Sequence, residues 1–251
     1  MKPAVLLLSL GLVLRAPAAL AQGVDNFGPY GMEDRGKIRS GQEAAFELRI
    51  GPYRPNVDDK LQGTPYQDIF GDSQRWHAGI EIDWQVFRIP KILSLGPGVG
   101  MAYTRSSARA PLSSGTGLSA QETTLNIIPF HLVGVLRLDA LADRFNVPLC
   151  PYAKFGVGYA IWWSKDGEET GQDADGIDAK DSSYGLVWAL GVAARLDWLD
   201  AEDAANADSA LGINHSALFI EYFGSDLGGF GSSDVMQVGT QTFVFGLMLE
   251  I

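Results

Sequence analysis

The stretch Trp76-His77-Ala78-Gly79-Ile80-Glu81-Ile82-Asp83-Trp84-Gln85-Val86-Phe87 decides the fold class. Trp76, Ala78, Ile80, Ile82, Trp84 and Val86 alternate with His77, Gly79, Glu81, Asp83 and Gln85. A period of two sends successive side chains to opposite faces of an extended strand, and no helical period fits the pattern. A strand crossing a bilayer at a tilt needs about 9–11 residues, and this run is long enough.

Seven further segments share the division. Ala44 to Tyr53 sets Phe46, Leu48 and Ile50 against Glu47 and Arg49, and Gly96 to Arg105 sets Val99, Met101 and Tyr103 against Gly98, Gly100, Ala102 and Thr104. Thr123 to Asp139 sets Phe130, Leu132, Leu136 and Leu138 against His131 and Arg137, with Val133 and Val135 on the polar side, which makes it the least regular of the set. Pro151 to Ser164 opposes Phe155, Val157, Tyr159, Ile161 and Trp163 to Lys154, Gly156 and Gly158, and Tyr184 to Asp197 opposes Leu186, Trp188, Leu190 and Val192 to Gly185, Gly191 and Arg195. His215 to Phe223 and Thr240 to Ile251 complete the set, the last with Phe243, Phe245, Leu247, Leu249 and Ile251 on one face. Eight is an even count, as single-chain bacterial barrels have.

Alternation alone also suits a soluble barrel, so side-chain volume has to decide which face is outside. An eight-stranded barrel has an interior only wide enough for packed side chains. The polar face carries the small residues, Gly79, Gly98, Gly100, Gly156, Gly158, Gly185, Gly191 and Gly246, and the other face carries the Trp, Phe, Tyr and Leu. Small and charged residues suit the lumen and bulky apolar ones suit lipid. Aromatics near strand ends (Tyr53, Trp76, Tyr103, Trp163, Tyr184, Trp198, Tyr222) suit the two membrane interfaces. The expectation is an all-β fold, a closed antiparallel transmembrane β-barrel of about eight strands with long outer loops and shorter periplasmic turns. The outer loops are then 54–75, 106–122, 165–183 and 224–238, and the turns 88–94, 140–150 and 199–214, the last with a short helical turn.

The start of the chain fits export. Lys2, an apolar run from Ala4 to Leu14 and the small-x-small sequence Ala19-Leu20-Ala21 read as a signal peptide over 1–21, cleaved near Ala21. Residues 22–43 then form a periplasmic N-terminal segment and 44–251 the barrel, which places the protein in a bacterial outer membrane. No later stretch resembles a membrane-spanning helix. A net charge of −11 argues against nucleic acid as a partner and suits solvation or cation attraction. The single cysteine, Cys150, allows no internal disulfide, and its setting in Val147-Pro-Leu-Cys-Pro reads as a buried turn residue.

Four groups of residues invite a chemical reading. Glu81, Asp83, Lys154, Arg195, Glu221 and Glu250 fall on lumen faces with mixed sign, and a narrow lumen makes mutual pairing their expected role, because a buried unpaired charge is expensive. The acidic loop 165–183 contains Asp173, Asp175 and Asp178 in a spacing that resembles part of a calcium loop. It lacks the remaining EF-hand positions, so the loop reads as solvated, with no metal or other cofactor expected. Asn214-His215-Ser216 with Glu221 invites comparison with lipid A deacylases, but adjacent His and Ser point to opposite faces of a strand. The glycine repeats at Gly96-Pro-Gly-Val-Gly and Gly156-Val-Gly lack the strand-to-helix setting of a nucleotide site.

Several phrases carry a family resemblance: Leu48-Arg-Ile-Gly-Pro-Tyr-Arg-Pro-Asn-Val-Asp, Pro65-Tyr-Gln-Asp-Ile-Phe-Gly, Val147-Pro-Leu-Cys-Pro-Tyr, Gly212-Ile-Asn-His with Phe219-Ile-Glu-Tyr, and Phe243-Val-Phe-Gly-Leu-Met-Leu-Glu-Ile. In order and spacing they resemble an outer-membrane β-barrel family found largely in myxobacteria and related bacteria. The resemblance implies a barrel in the outer membrane with no established substrate and no catalytic residues to carry over. Ile251 departs from the Phe or Trp that more often ends such chains. The function expected is therefore a small, non-enzymatic outer-membrane barrel, structural or surface-interacting, with a lumen too narrow for a general porin. A lipid-modifying enzyme and a narrow pore or small-ligand binder are the alternatives. Its expected partners are outer-membrane lipids and lipopolysaccharide, and the barrel-insertion machinery through the C-terminal strand.

Overall fold

The computed structural model describes residues 44–61, 63–72, 74–109, 117, 119–167, 169–172, 176, 178–196 and 213–251. The expected signal peptide, the segment 22–43, Trp198, most of the turn 199–214 and the acids Asp173 and Asp175 fall outside them.

The strands are β1 (Ala44–Tyr53), β2 (Arg75–Trp84), β3 (Phe87–Ile89), β4 (Leu93–Ala108), β5 (Thr123–Leu138), β6 (Leu149–Asp166), β7 (Glu169–Thr170), β8 (Lys180–Arg195), β9 (His215–Asp226) and β10 (Thr240–Glu250). Every pairing is antiparallel. The eight long strands follow one another in the order β1, β2, β4, β5, β6, β8, β9, β10, and β10 pairs back to β1, so the sheet closes on itself. Ala44 N–H donates to the Ile251 carbonyl at 3.0 Å and Ile251 N–H to the Ala44 carbonyl at 2.9 Å, which ties the seam at its inner end. Closure gives each of the eight long strands a neighbour on both sides, as a sheet surrounded by lipid needs.

The two faces separate as side-chain volume requires. Trp76 is 64% exposed, Phe155 63%, Leu190 60% and Leu132 55%, whereas Glu47, Glu81 and Glu221 are 0–1% exposed. On β5, Val133, Val135 and Arg137 are buried and Phe130, Leu132, Leu136 and Leu138 are exposed, so the strand alternates from Phe130 onward, while Thr124, Leu125, Asn126 and Ile127 before it are all buried. An outer wall of bulky apolar side chains around an ionic interior is the surface of a barrel that sits in lipid.

The strands are staggered. Lateral neighbours traced from Glu47 run through Glu81, Gly100, His131 and Gly158 to Gly185 on β8 in one direction. In the other they run through Met248 and Ala217 to Arg195, ten residues further along the same strand. A stagger of that size tilts the strands by about 35–45° to the barrel axis.

Two strand boundaries differ from the sequence expectation for physical reasons. The second strand ends at Trp84, and Phe87–Ile89 resumes along β4 one residue out of register, since Asp83 pairs Gly98 but Phe87 pairs Leu95. This is a β-bulge at Gln85–Val86. It turns Phe87 and Ile89 outward, where uninterrupted alternation would point them into the lumen. The Trp84 carbonyl then lies where a Cβ on Gly96 would be, so only glycine fits opposite the bulge. Gly96→Ala is expected to destabilise the barrel by about 1–3 kcal/mol in urea unfolding from lipid vesicles. Gly134→Ala, whose Cβ would meet nothing nearer than 3.8 Å, should be silent.

The second difference lies on the outer side. β4, β5, β6 and β8 run 16, 16, 18 and 16 residues, well beyond a bilayer crossing, so part of what alternation leaves as loop is strand continued above the lipid. The outer connections are also built rather than free. A 3-10 turn (Val57–Lys60) and helix α1 (Pro65–Phe70) follow β1, and Val57, Tyr66, Phe70, Leu227 and Val238 bury together in the barrel mouth. The Asp58 carboxylate accepts from the Tyr66 and Gln67 amides at 2.7 and 3.1 Å and so caps α1 from eight residues upstream. Lys60 Nζ donates to the Gly228 and Ser232 carbonyls, and Asn56 N–H to the Gly239 carbonyl at 2.8 Å, which join the first outer loop to the last.

Candidate functional site

Along β1 the inward residues pass from Ala45 through Glu47 and Arg49 to Tyr53, and along β6 from Cys150 and Tyr152 through Lys154 to Ala160. An ionic belt is therefore held between two apolar clusters, one toward the inner end and one beneath the outer cap. In the belt the carboxylates of Glu47, Glu81, Asp83, Glu221 and Glu250 meet Arg49, Arg137, Lys154 and His131.

Three cations tie the strands together. Arg49 donates to Glu47 at 3.0 Å and also to Glu81 and Glu221. Lys154 Nζ lies 2.8 Å from Glu47, 2.6 Å from Glu81 and 3.7 Å from Glu221. Arg137 reaches Asp83 at 2.5 Å and Glu47 and Glu250 at 3.3 Å each. His131 Nε2 lies 2.7 Å from Glu81, and the Tyr152 hydroxyl donates to Glu221 at 2.9 Å. The Arg49 guanidinium also stands 5.7 Å from the Phe223 ring centre and 6.0 Å from that of Phe219. Each acid thus has a cation within ion-pair reach, the arrangement a buried carboxylate needs.

Glycines make room for these side chains. A Cβ on Gly98 would collide with the Asp83 carboxylate, one on Gly100 with the His131 ring and one on Gly191 with the Tyr152 ring. These three glycines are thus sockets for specific polar partners, whereas Gly158 makes room for the Val187 and Leu227 side chains and Gly246 for the Phe219 ring. Beside Arg49, Tyr53, His77 and His131 remains a cavity of about 20 Å³, enough for about one water, and it borders His77, whose Nδ1 has no hydrogen-bond partner among the described residues. Tyr152→Phe is expected to cost about 1.5–3 kcal/mol in chemical unfolding, because it removes a hydrogen bond to a buried carboxylate and leaves the ring in place.

Of the residues expected to form a lumen network, Glu81, Asp83, Lys154, Glu221 and Glu250 meet here. Arg195 does not. It pairs with Asp143 at 2.6 Å and Asp139 at 3.5 Å at the inner mouth, where helix α2 (Ala140–Phe145) follows β5. Burial pushes the Asp139 carboxyl above its ordinary range, against the pull of Arg195. The belt also uses Glu47, Arg49, His131, Arg137 and Tyr152, which alternation puts on inward faces but which the sequence reading did not join to the network.

The other candidates separate. Asp178 is exposed and accepts from Lys180 Nζ at 2.7 Å and Gln172 at 3.3 Å, bonds that hold its carboxyl below the usual range. Asp173 and Asp175, its expected companions, lie outside the described residues. Among the described residues, Glu47, Glu81 and Asp83 are close enough to share a cation, and Lys154 and Arg137 already bridge them. His215 is buried on the lumen side and Ser216 has the opposite strand parity, while Glu221, six residues along, is engaged by Arg49 and Tyr152. That is not the geometry of a hydrolytic triad.

No protein-family model matches the chain, and no curated protein matches it in sequence. Among solved structures it is similar to Ail, the attachment invasion locus protein of Yersinia pestis, with a TM-score of 0.42 and 11% identity over 84% of this chain and 97% of that one. A second structure of Ail, in complex with the heparin analogue sucrose octasulfate, gives 0.42 and 12% over 83% and 99%. The outer membrane protein OprG of Pseudomonas aeruginosa gives 0.48 and 10% over 86% and 98%.

Proposed function

We propose that this chain is a small bacterial outer-membrane β-barrel that works without catalysis, as a closed wall element presenting its outer loops to the cell surface. The observation that carries the proposal is the pairing of a continuous apolar exterior with a lumen crossed by the Arg49, Arg137 and Lys154 ion pairs and covered by the first and last outer loops. Such a lumen has no room for the solute path of a general porin. The loops meet lipopolysaccharide and other surface molecules, and β10 is the strand that the barrel-insertion machinery recognises. The proposal includes membership of the myxobacterial barrel family that the sequence resembles.

The test has two parts. The protein should fractionate with outer membranes and migrate faster in electrophoresis before boiling than after, as a folded barrel does. In planar bilayers the same preparation should give no steady current. Large, steady conductance, or altered lipid A in cells that lack the protein, would overturn the non-enzymatic, closed reading.

A further inference from the structure

The inner rim carries a second surface that the belt does not use. The turn after β3 and the helix α2 form one unit, since the Asp139 and Ala140 amides both donate to the Ile92 carbonyl, at 2.9 and 3.1 Å. This unit exposes large apolar side chains at a position where a barrel in water would cover them. Val86 is 77% exposed, Phe145 67%, Phe87 54% and Ile89 38%. Beside them stand Lys91 and Arg144, both exposed and, among the described residues, without an acidic partner. The nearby acids Asp139 and Asp143 both pair with Arg195 across the mouth. Lys91 and Asn146 hold positive φ of 60° and 54°, which fix the turn and the end of α2 that present the patch.

The patch is continuous with the apolar wall through Leu95, Leu138 and Leu149, all exposed. Apolar side chains that meet unpaired cations at the edge of a lipid-facing wall match the boundary between acyl chains and anionic headgroups. We infer that this rim is a binding site for anionic phospholipid of the inner leaflet, with Phe87, Ile89 and Phe145 among the acyl chains and Lys91 and Arg144 on the phosphate. The inference rests on the proposed membrane location.

The test reconstitutes the folded protein in phosphatidylcholine nanodiscs with a minor fraction of phosphatidylglycerol and reads, by native mass spectrometry, which lipid stays bound. The unaltered protein should retain phosphatidylglycerol above its share. Lys91→Gln and Arg144→Gln should each lower that enrichment about fivefold, as expected for a cation near an anionic surface. Lys180→Gln, which removes an exposed cation at the outer end, should leave it unchanged. Correct insertion with no enrichment, enrichment that survives the double substitution, or a rim cross-linked to a second protein copy would each overturn the site and leave the barrel proposal standing. Failure to insert into any bilayer would overturn both.

Discussion

Arg49→Met is expected to lower the stability of the barrel by about 3–5 kcal/mol, because removing one partner of a buried ionic cluster leaves the others uncompensated. Arg49 bonds to Glu47, Glu81 and Glu221, and without it these three carboxylates share Lys154, with Arg137 still at Glu47 and His131 still beside Glu81. Arg49→Lys keeps the charge but not the planar fork that reaches several acceptors, so an intermediate loss is expected. Adding Glu221→Gln to Arg49→Met should restore part of the stability, with a coupling of about 0.5–3 kcal/mol between the two sites. Urea unfolding from lipid vesicles, followed by tryptophan fluorescence and by the heat-dependent gel shift, measures these four proteins and the Glu221→Gln single variant that closes the cycle. A loss under about 1 kcal/mol for Arg49→Met, in the range of an exposed pair, would mean that the belt is open to water.

The wall of this barrel was legible because each of its long strands repeats one simple division. Alternation needs only the local sequence, and the opposition of bulky and small faces told lipid from lumen without any knowledge of which strands are neighbours. Even β5, where Val133 and Val135 blur the contrast, follows the parity of His131 and Arg137. The bulge after Trp84 escaped because it depends on contact with the next strand. In sequence, Gln85-Val86 looks like continued alternation, and the slip shows only in the pairing with β4, where Phe87 meets Leu95 and the Trp84 carbonyl packs against Gly96.

The site was half legible for a related reason. Parity assigns Glu47, Arg49, Arg137 and Tyr152 to the lumen as surely as it assigns Glu81 and Lys154. What parity cannot supply is height along the barrel, which depends on the stagger accumulated around the ring. Arg195 illustrates this. Lateral steps from Glu47 through β10 and β9 arrive at Arg195, yet the tilt has by then carried the path to the inner mouth, where Asp139 and Asp143 are waiting. The outer cap was out of reach for another reason: Val57, Tyr66 and Phe70 are buried by loop geometry, with Asp58 capping a helix eight residues away, and that contact has no periodic signature.

Cap and belt should act as two closures in series, and conductance can separate them. Tyr66→Ala with Phe70→Ala thins the outer cap but leaves every belt ion pair intact, so planar-bilayer recordings should stay silent. Lys154→Ala with Glu81→Ala removes one charge of each sign from the belt and opens space around Arg49, but the cap still covers the mouth. Steady current is expected only when all four substitutions are combined. The remaining belt then holds Glu47, Asp83, Glu221 and Glu250 against Arg49 and Arg137, an acidic surplus in a narrow passage, so reversal potentials in a salt gradient should favour cations. Current through the cap variant alone would mean that the belt does not seal the lumen. Anion preference in the combined variant would mean that ions take a path that avoids these carboxylates.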